Sequence, residues 1–272
     1  MSDPDRPVRP VWPTVAIAAL IVVSLTGGGV IVWQARSEAP PPAAAPTSEA
    51  PSPSPSPSVE PSPEPEPTPR LPNRRLQAGQ RGPAIRLLQT LLADLGYDVG
   101  DIDGRFGDDT LHAVVALQKL HGLDRDGVVG ATTRAAIESP VAPKPLHPKR
   151  TGTSVEVDLT RQVLYLLRDG KIERIVDVST GGGYSFVSRG VRKVAITETG
   201  EFEVYLRYDG WYESSVGPMY KSSFYLRGFA IHGSASVPPY PASHGCVRVT
   251  MSGIERLWPD LGLGTRISVY RS

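Results

Sequence analysis

The segment PASHGCVRVT, residues 241–250, surrounds the only cysteine of the 272-residue chain with residues able to support thiol chemistry. His244 stands two positions before Cys246 and Arg248 two positions after it, so in an extended segment the three side chains project from one face. His232, which ends the apolar run FAIHG, is a second candidate partner. Because a neighbouring imidazolium lowers the pKa of a cysteine from about 8.5 to below 7, this pattern predicts a nucleophilic thiolate on one wall of a cleft.

Other interpretations of the same residues stay open at this point. A lone cysteine also serves as a small buried apolar residue, and a histidine that ends a strand is often part of a core. Zinc held by His232, His244 and Cys246 is less favoured, because no carboxylate occupies a clear general-base position beside them. Gly245 favours the catalytic interpretation, since a backbone without a Cβ can bring successive N–H groups close to an oxyanion.

The N-terminal part of the chain predicts export. Residues 14–33, TVAIAALIVVSLTGGGVIVW, carry no charge and as a helix span the roughly 30 Å of a bilayer core. Arg6 and Arg9, against the single Arg36, favour a cytoplasmic N-terminus at residues 1–13. A cleaved signal peptide is the alternative, because the glycines at 27–29 weaken the helix. Both interpretations place the rest of the chain outside the cytoplasm, either anchored by a single span or secreted, where the one cysteine has no internal disulfide partner.

Composition excludes one class of partner and identifies a spacer. A net charge of +1 without a dense basic block is untypical of nucleic-acid binding. Many of the 28 prolines fall in residues 34–73, which we expect to form an extended polyproline-like linker of up to roughly 100 Å. A role as an SH3-type ligand is disfavoured outside the cytoplasm.

Residues 74–139 predict a small three-helix bundle. In PAIRLLQTLLADLGY, Pro83 suits a first helical turn and Gly96 a helix end, while apolar residues recur at helical spacing between them. DTLHAVVALQKLHG and ATTRAAIE supply the second and third helices. The Asp-rich loop between the first two invites a calcium interpretation, but the sixth and twelfth positions counted from Asp101 hold Phe106 and His112, which excludes an EF-hand. We therefore interpret the Asp-Gly pairs as turns.

After a second proline-rich joint at residues 140–152, the period changes from helical to two, which predicts a β domain over residues 153–272. Asp169-Gly170 is a strong hairpin signal between two apolar runs. One helix is expected near MSGIERLW, where Ser252 and Glu255 have capping-box spacing, and TRISVY is expected to close the domain as a strand.

Both folded segments resemble known families. LQAGQRGPAIRLLQTLLADLGY, DGRFGDDTLHAVVALQ and DGVVGATTRAAI resemble the three-helix peptidoglycan-binding domain, which implies attachment to cell-wall glycan or stem peptide. IHG followed by SHGCVRV, together with DVSTGG, TETGEFEVY and PMYKSSFYLRGFAIHG, resembles the YkuD-type L,D-transpeptidase catalytic domain over residues 155 to 270. The fold class implied is multidomain: an N-terminal transmembrane helix, an all-α wall-binding bundle and a mostly-β sandwich.

The second resemblance implies a set of site residues. Cys246 is the expected nucleophile and His232 its proton acceptor and donor, and no cofactor or metal is expected. His244, Ser243 and Gly245 are expected to shape the cysteine loop and the oxyanion hole. The residues expected to contact substrate are Arg248, which would receive a carboxylate, and Gly233, Met219 and Tyr220.

The reaction that the resemblance implies is acyl transfer on peptidoglycan. The thiol attacks the carbonyl between the third residue of a tetrapeptide stem and its terminal D-Ala, and the amine of another stem then takes the acyl group, giving a 3→3 cross-link. Water or a protein amine as acceptor, or wall binding without catalysis, are the alternatives. Two departures from the family pattern concern substrate details: residues 197–200 read Thr-Glu-Thr-Gly instead of Thr-Pro-x-Gly, and some members carry Asn at the position of Arg248.

Overall fold

The computed structural model describes residues 70–272. The predicted cytoplasmic N-terminus, the predicted membrane or signal segment and most of the predicted spacer lie outside the described residues. Among the helices of residues 70–272, none combines the length and the apolar character that a bilayer crossing requires.

The first folded region is a bundle of the three expected helices. They are α1 Pro83–Asp94, α2 Asp108–Leu120 and α3 Ala131–Glu138. Pro83 occupies the first turn of α1, where its missing N–H costs nothing. The helical periodicity of the sequence is confirmed, because Ile85, Leu88 and Leu92 are fully buried on one face of α1.

Two equivalent Asp-Gly turns connect the helices, and each is fixed by a buried glutamine. The Gln89 amide nitrogen donates to Asp103 (2.9 Å) and to Thr110 (3.0 Å), while its oxygen accepts from the Gly104 N–H (2.8 Å). The second turn repeats this arrangement with Gln118, Asp126, Gly127 and Thr133. The aspartates of these turns therefore act as turn acceptors, as the spacing predicted.

The second folded region is a β domain of two sheets and a separate hairpin. The strands are β1 Thr153–Asp158, β2 Val163–Arg168, β3 Lys171–Asp177, β4 Ser185–Ser188, β5 Val191–Val194, β6 Gly200–Glu203, β7 Leu206–Ser214, β8 Gly217–Leu226, β9 Phe229–Gly233, β10 Val247–Val249 and β11 Arg266–Tyr270. One sheet has the strand order β3-β2-β1-β11-β6 and the other β10-β9-β8-β7, while β4 pairs with β5. The hairpin predicted at Asp169-Gly170 is confirmed, since both residues have positive φ and join β2 to antiparallel β3.

The single helix of the β domain, α4 Met251–Leu257, leads into a 3-10 turn at Trp258–Asp260. The prediction that Ser252 caps it was wrong. The N-cap is Thr250, whose hydroxyl accepts the Gly253 N–H at 2.9 Å. Ser252 lies inside the helix and donates to Asp109 of the bundle.

Strand β2 is buried on both faces and joins the two regions into one body. Leu164 and Leu166 pack between the two sheets, whereas Val163, Tyr165 and Leu167 pack against the bundle. A strand covered on both sides carries a continuous apolar run, which is what the sequence VLYLLR shows. The proline-rich joint therefore connects two regions that share a core.

Charged groups complete this contact. Arg256 of α4 holds Asp98 with two hydrogen bonds of 2.8 and 2.9 Å and reaches Asp109 at 3.0 Å. Lys119 of α2 is fully buried and donates to the carboxylate of Asp177. It also donates to the carbonyl oxygens of Gln162 (3.0 Å) and Val178 (2.9 Å).

The buried Lys119–Asp177 pair gives a testable prediction for stability. Lys119→Met leaves the Asp177 carboxylate buried with His112 as its remaining ion-pair partner. We expect this change to lower the free energy of unfolding by about 3–5 kcal/mol, as measured by urea denaturation. The double variant Lys119→Met/Asp177→Asn removes the unpaired carboxylate charge and should recover part of the lost free energy of unfolding. Strictly additive losses in the double variant would contradict the pairing.

Candidate active site

The parallel pairing of β9 with β10 brings the predicted residues together. His232 lies directly opposite Arg248 in this register, so both side chains leave the same face of the sheet. The intervening Val247 is fully buried in the core on the opposite face. Cys246 directly precedes this pairing, in a bend at residues 244–246, and lines one cavity together with His232.

His232 is held in one tautomer. Its Nδ1 lies 2.9 Å from the carbonyl oxygen of Gly233, and because a carbonyl only accepts, Nδ1 must carry the proton. The ring is 4% exposed, and burial lowers the pKa of His232 to about 4 against the opposing effect of that hydrogen bond. Above this pH the imidazole is neutral and Nε2 is its basic nitrogen.

Cys246 is a protonated thiol in its resting state. The side chain is half-buried, and its Sγ lies 3.8 Å from the Met219 sulfur and 3.9 Å from the Gly228 carbonyl oxygen. Burial raises the pKa of the Cys246 thiol, although the Ala230 backbone and the Arg248 charge oppose it. Burial thus disfavours the charged forms of both groups, in contrast to the sequence-based expectation of a thiolate beside an imidazolium.

The cysteine loop is fixed by Ser243. Its hydroxyl accepts the Gly245 N–H at 3.0 Å and donates to the Cys246 carbonyl at 2.6 Å. Gly245 has φ +138°, and a Cβ there would lie 2.2 Å from the Phe229 ring, so only glycine fits. Because the Gly245 N–H is bonded to Ser243, it is not free for an oxyanion in this structure, and the expected role of the N–H groups around Gly245 and Cys246 stays a prediction. The Cys246 N–H, which has no acceptor among residues 70–272, is the better candidate.

Two threonines that the sequence argument did not assign support this loop from behind. Thr197 donates to the Gly245 carbonyl at 2.8 Å, within the Thr-Glu-Thr-Gly segment that departs from the family pattern. The Thr180 carbonyl accepts the Ser243 N–H at 2.9 Å, and Thr180 is itself bonded to the Gln162 side chain. No sequence signal other than the quoted motifs DVSTGG and TETG marked these positions.

Two cavities meet at the thiol. The larger, of about 400 Å³, is lined on one side by the β4–β5 hairpin and on the other by β7, β8 and the loop after β8. The smaller is lined by His232, Ser243 and Arg248. Cys246 and His244 line both cavities. His244, Cys246 and Arg248 thus share one wall as predicted, although residues 244–246 form a bend instead of an extended strand.

His244 belongs to the aromatic side of this wall. Its ring packs edge-on against Phe186, with centroids 4.6 Å apart, and against Tyr184 at 5.5 Å. Burial lowers the pKa of His244, and Arg248 lowers it further. The contact joins the cysteine loop to the β4–β5 hairpin, so the expected role of His244 in shaping the loop stays a prediction with a structural basis.

The expected substrate residues lie in different places. Met219 lies in the wall of both cavities, against Cys246. Tyr220 lines neither cavity, and its hydroxyl donates to Glu255, so its expected contact with substrate has no support from this geometry. Gly233 also lines neither cavity, and its carbonyl oxygen accepts from His232; its expected contact with substrate stays a prediction.

Arg248 remains available to a substrate. Its backbone pairs with Ser179, while its half-buried side chain lines the smaller cavity and forms no ion pair within residues 70–272. No group of three or more His, Cys, Asp or Glu side chains in those residues is arranged to hold a metal ion. The zinc alternative thus has no support from the arrangement of His232, His244 and Cys246.

The comparisons with known proteins agree with this geometry. Residues 152–269 match the family described as "L,D-transpeptidase catalytic domain", and residues 81–137 match the one described as "Putative peptidoglycan binding domain". The crystal structure of an L,D-transpeptidase from Xylanimonas cellulosilytica is 41% identical, with a TM-score of 0.68, and the match covers 75% of this chain and 99% of that one.

Two further proteins show more partial similarity. A crystal structure of an L,D-transpeptidase from Stackebrandtia nassauensis is 25% identical, with a TM-score of 0.44, over 75% of this chain and 97% of that chain. A curated "Probable N-acetylmuramoyl-L-alanine amidase" from Bacillus licheniformis is 39% identical over 66 residues, 24% of this chain. The chain spans 19% of the length of that relative.

The assignment rests on the match that spans both folded regions. The crystallised fragment of the Xylanimonas protein, its residues 123–326, aligns over nearly its whole length, and the family match covers both His232 and Cys246. The chain therefore belongs to the L,D-transpeptidase family, with a YkuD-type catalytic domain preceded by a peptidoglycan-binding domain.

Proposed function

We propose that this protein cross-links peptidoglycan by two-step acyl transfer through Cys246. The observation that carries the proposal is the placement of His232: its Nδ1 is bonded to the Gly233 carbonyl, its Nε2 is basic, and its ring lines the same cavity as the thiol. A neutral base beside a protonated thiol is the starting state of general-base-assisted nucleophilic attack.

In the first step, the Cys246 sulfur attacks the carbonyl carbon between the third stem residue and the terminal D-Ala while His232 Nε2 takes the thiol proton. The oxyanion that forms accepts the Cys246 N–H. The C–N bond then breaks, His232 returns the proton to the leaving amine, and D-Ala departs from a thioester. The charged imidazolium exists only briefly within each step, and the low pKa of His232 favours the rapid return of its proton.

In the second step, the side-chain amine of the third residue of another stem attacks the thioester. His232 takes a proton from this amine, the C–S bond breaks, and the proton returns to the sulfur. The product is the 3→3 cross-link. Water in place of the amine gives an L,D-carboxypeptidase from the same intermediate, and a protein amine gives wall anchoring.

Arg248 supplies the positive charge that the donor stem requires. The leaving D-Ala carries a free carboxylate one residue beyond the scissile bond, on the side of the amine that His232 must reach. Since Arg248 lies opposite His232 and forms no ion pair within the described residues, it can bind this carboxylate with two hydrogen bonds.

The rest of the chain would set where the reaction occurs. We place residues 14–33 as a single membrane span, which puts the bundle and the catalytic domain in the cell-wall space. The predicted proline-rich spacer would let the body reach peptidoglycan at a distance from the membrane. The bundle would hold the wall, with glycan or stem peptide as its ligand.

Removal of the nucleophile gives the first test of this proposal. Cys246→Ala should abolish D-Ala release, dimer formation and covalent capture by a carbapenem, because no other thiol exists in the chain. Mass spectrometry of muropeptides after incubation reports dimer, tripeptide or unchanged tetrapeptide. Tripeptide alone would identify carboxypeptidase activity, and D-Ala release by a Cys246→Ala protein that keeps its thermal unfolding curve would exclude the thiol mechanism.

The pH dependence of kcat/KM tests the protonation states. His232 must be neutral to act as the base, and its pKa is lowered to about 4, so activity should persist as pH falls and be lost only near pH 4. Because the pKa of Cys246 is raised, alkylation by iodoacetamide should accelerate only above the range of an ordinary thiol. An acidic limb at pH 6 to 7, or fast alkylation at pH 6, would show a preformed ion pair instead.

A charge-matched substrate pair tests Arg248. Arg248→Gln should raise KM about 10- to 100-fold for a tetrapeptide with a free C-terminal carboxylate, the loss typical of one charge-assisted hydrogen bond. The same peptide with an amidated C-terminus should show little change. Arg227→Gln is the control, since Arg227 is an exposed residue on the rim of the larger cavity. Equal losses on both peptides would remove the carboxylate role.

A further inference from the structure

We propose that three half-exposed tyrosines beside the larger cavity, Tyr205, Tyr208 and Tyr212, bind the glycan strand that carries the donor stem. We call this group the tyrosine face. The inference rests on the proposed function, because it names a part of the same substrate. The tyrosines lie on or next to β7, which is the edge strand of its sheet.

The tyrosine face is one continuous surface built over a buried ring. Tyr212 packs on Phe224 with centroids 5.3 Å apart, Tyr208 packs on Tyr212 at 5.4 Å, and Tyr205 lies 6.5 Å from Phe224. Phe224 is only 3% exposed, whereas the tyrosines are 54%, 44% and 37% exposed at positions 205, 208 and 212. Exposed aromatic surface of this kind marks a site of interaction.

The surface begins at the active site and extends away from it. Tyr212 and Phe224 line the larger cavity together with Cys246, while Tyr205 and Tyr208 lie outside its lining. The Tyr205 hydroxyl accepts the Gly228 N–H at 3.2 Å, which fixes the ring beside the loop that also borders the thiol. A ligand that follows this surface therefore leads directly from the nucleophile to solvent.

The length of the stem peptide places a sugar at the end of the tyrosine face that lies away from the thiol. Three stem residues separate the attacked carbonyl from the glycan, a span of roughly 10 Å at about 3.3 Å per residue. From Phe224, which packs in the cluster beside Cys246, two ring-to-ring steps of 5.3 and 5.4 Å lead to Tyr208. A stem that runs from the thiol along this surface is therefore long enough to place its sugar on the outer tyrosines.

The chemistry of the tyrosine face fits a sugar better than a charged ligand. Its three members carry no charge, and an aromatic ring presents a negative face that attracts the C–H groups on one side of a pyranose. Phenol hydroxyls at the ring edges can hydrogen-bond to sugar hydroxyls. A tyrosine side chain has few rotatable bonds and therefore loses little conformational entropy on binding, which is why tyrosines recur at binding surfaces.

Comparing two substrates with the full-length protein tests the proposal. For each protein, kcat/KM is measured on the free tetrapeptide and on the disaccharide-tetrapeptide, and the ratio isolates the contribution of the sugar. We expect wild type to favour the glycan-bearing substrate and Tyr208→Ala to reduce that preference about three- to tenfold, as expected for one lost ring contact. Tyr208→Phe keeps the ring and should retain most of the preference.

Trp211→Ala is the matched control. Trp211 lies on the same strand and is 54% exposed, but its ring packs with Tyr220 on the opposite face. It should leave the ratio unchanged. An unchanged ratio in Tyr208→Ala, or equal reductions in Tyr208→Ala and Trp211→Ala, would overturn the proposal.

A binding measurement separates this inference from the proposed reaction. Stem-free glycan oligosaccharides should slow amide hydrogen exchange in residues 206–214 of the Cys246→Ala protein, and Tyr208→Ala in that background should weaken the effect. If neither substrate is turned over by wild type, the proposed function fails while this exchange result still decides the sugar site. Exchange in residues 206–214 that does not respond to glycan would overturn the inference.

Discussion

The register of a three-residue parallel pairing governs the chemistry of this molecule. With Val247 opposite Ile231, His232 must lie opposite Arg248, and Cys246 lies in the bend that directly precedes this pairing. A shift of β10 by one residue would turn Arg248 towards the core and bring Val247 to the cavity beside His232. A strand of three residues forms too few interstrand hydrogen bonds to fix its own register. The hydrogen bonds that Ser243, Thr180 and Thr197 make in the preceding loop hold β10 in position.

Burial determines how this pair would react. Desolvation lowers the pKa of His232 and raises that of Cys246, so both groups rest in their neutral forms. The free-energy cost of forming charged groups in this desolvated site then arises only during attack, when the oxyanion and the imidazolium form together in the same cleft. Arg248 works in the same direction for His232, because a fixed positive charge disfavours an imidazolium beside it. The site would thus favour a short-lived charged state over a stored one.

The sequence predicted the elements better than it predicted their faces. Periodicity identified α1, and Asp169-Gly170 identified its hairpin, because both signals are local. The family motifs identified His232 and Cys246. The hydrogen bond of Tyr220 to Glu255 could not be predicted, because β8 contains register shifts and the side of the sheet that a residue faces cannot be counted along the chain. The bonded state of the Gly245 N–H was missed because it depends on the rotamer of Ser243.

The packing of the bundle on β2 has a consequence for the thiol that local signals do not reveal. Buried Lys119 of α2 donates to the Gln162 carbonyl, the Gln162 side chain holds both the N–H and the hydroxyl of Thr180, and the Thr180 carbonyl accepts the Ser243 N–H. Ser243 in turn fixes the Cys246 carbonyl. A series of hydrogen bonds therefore runs from the three-helix bundle to the residue that carries the thiol. Because the links from Lys119 to Thr180 are buried, a displacement of the bundle would leave polar groups unpaired, and the cysteine loop depends on the relative position of the two regions.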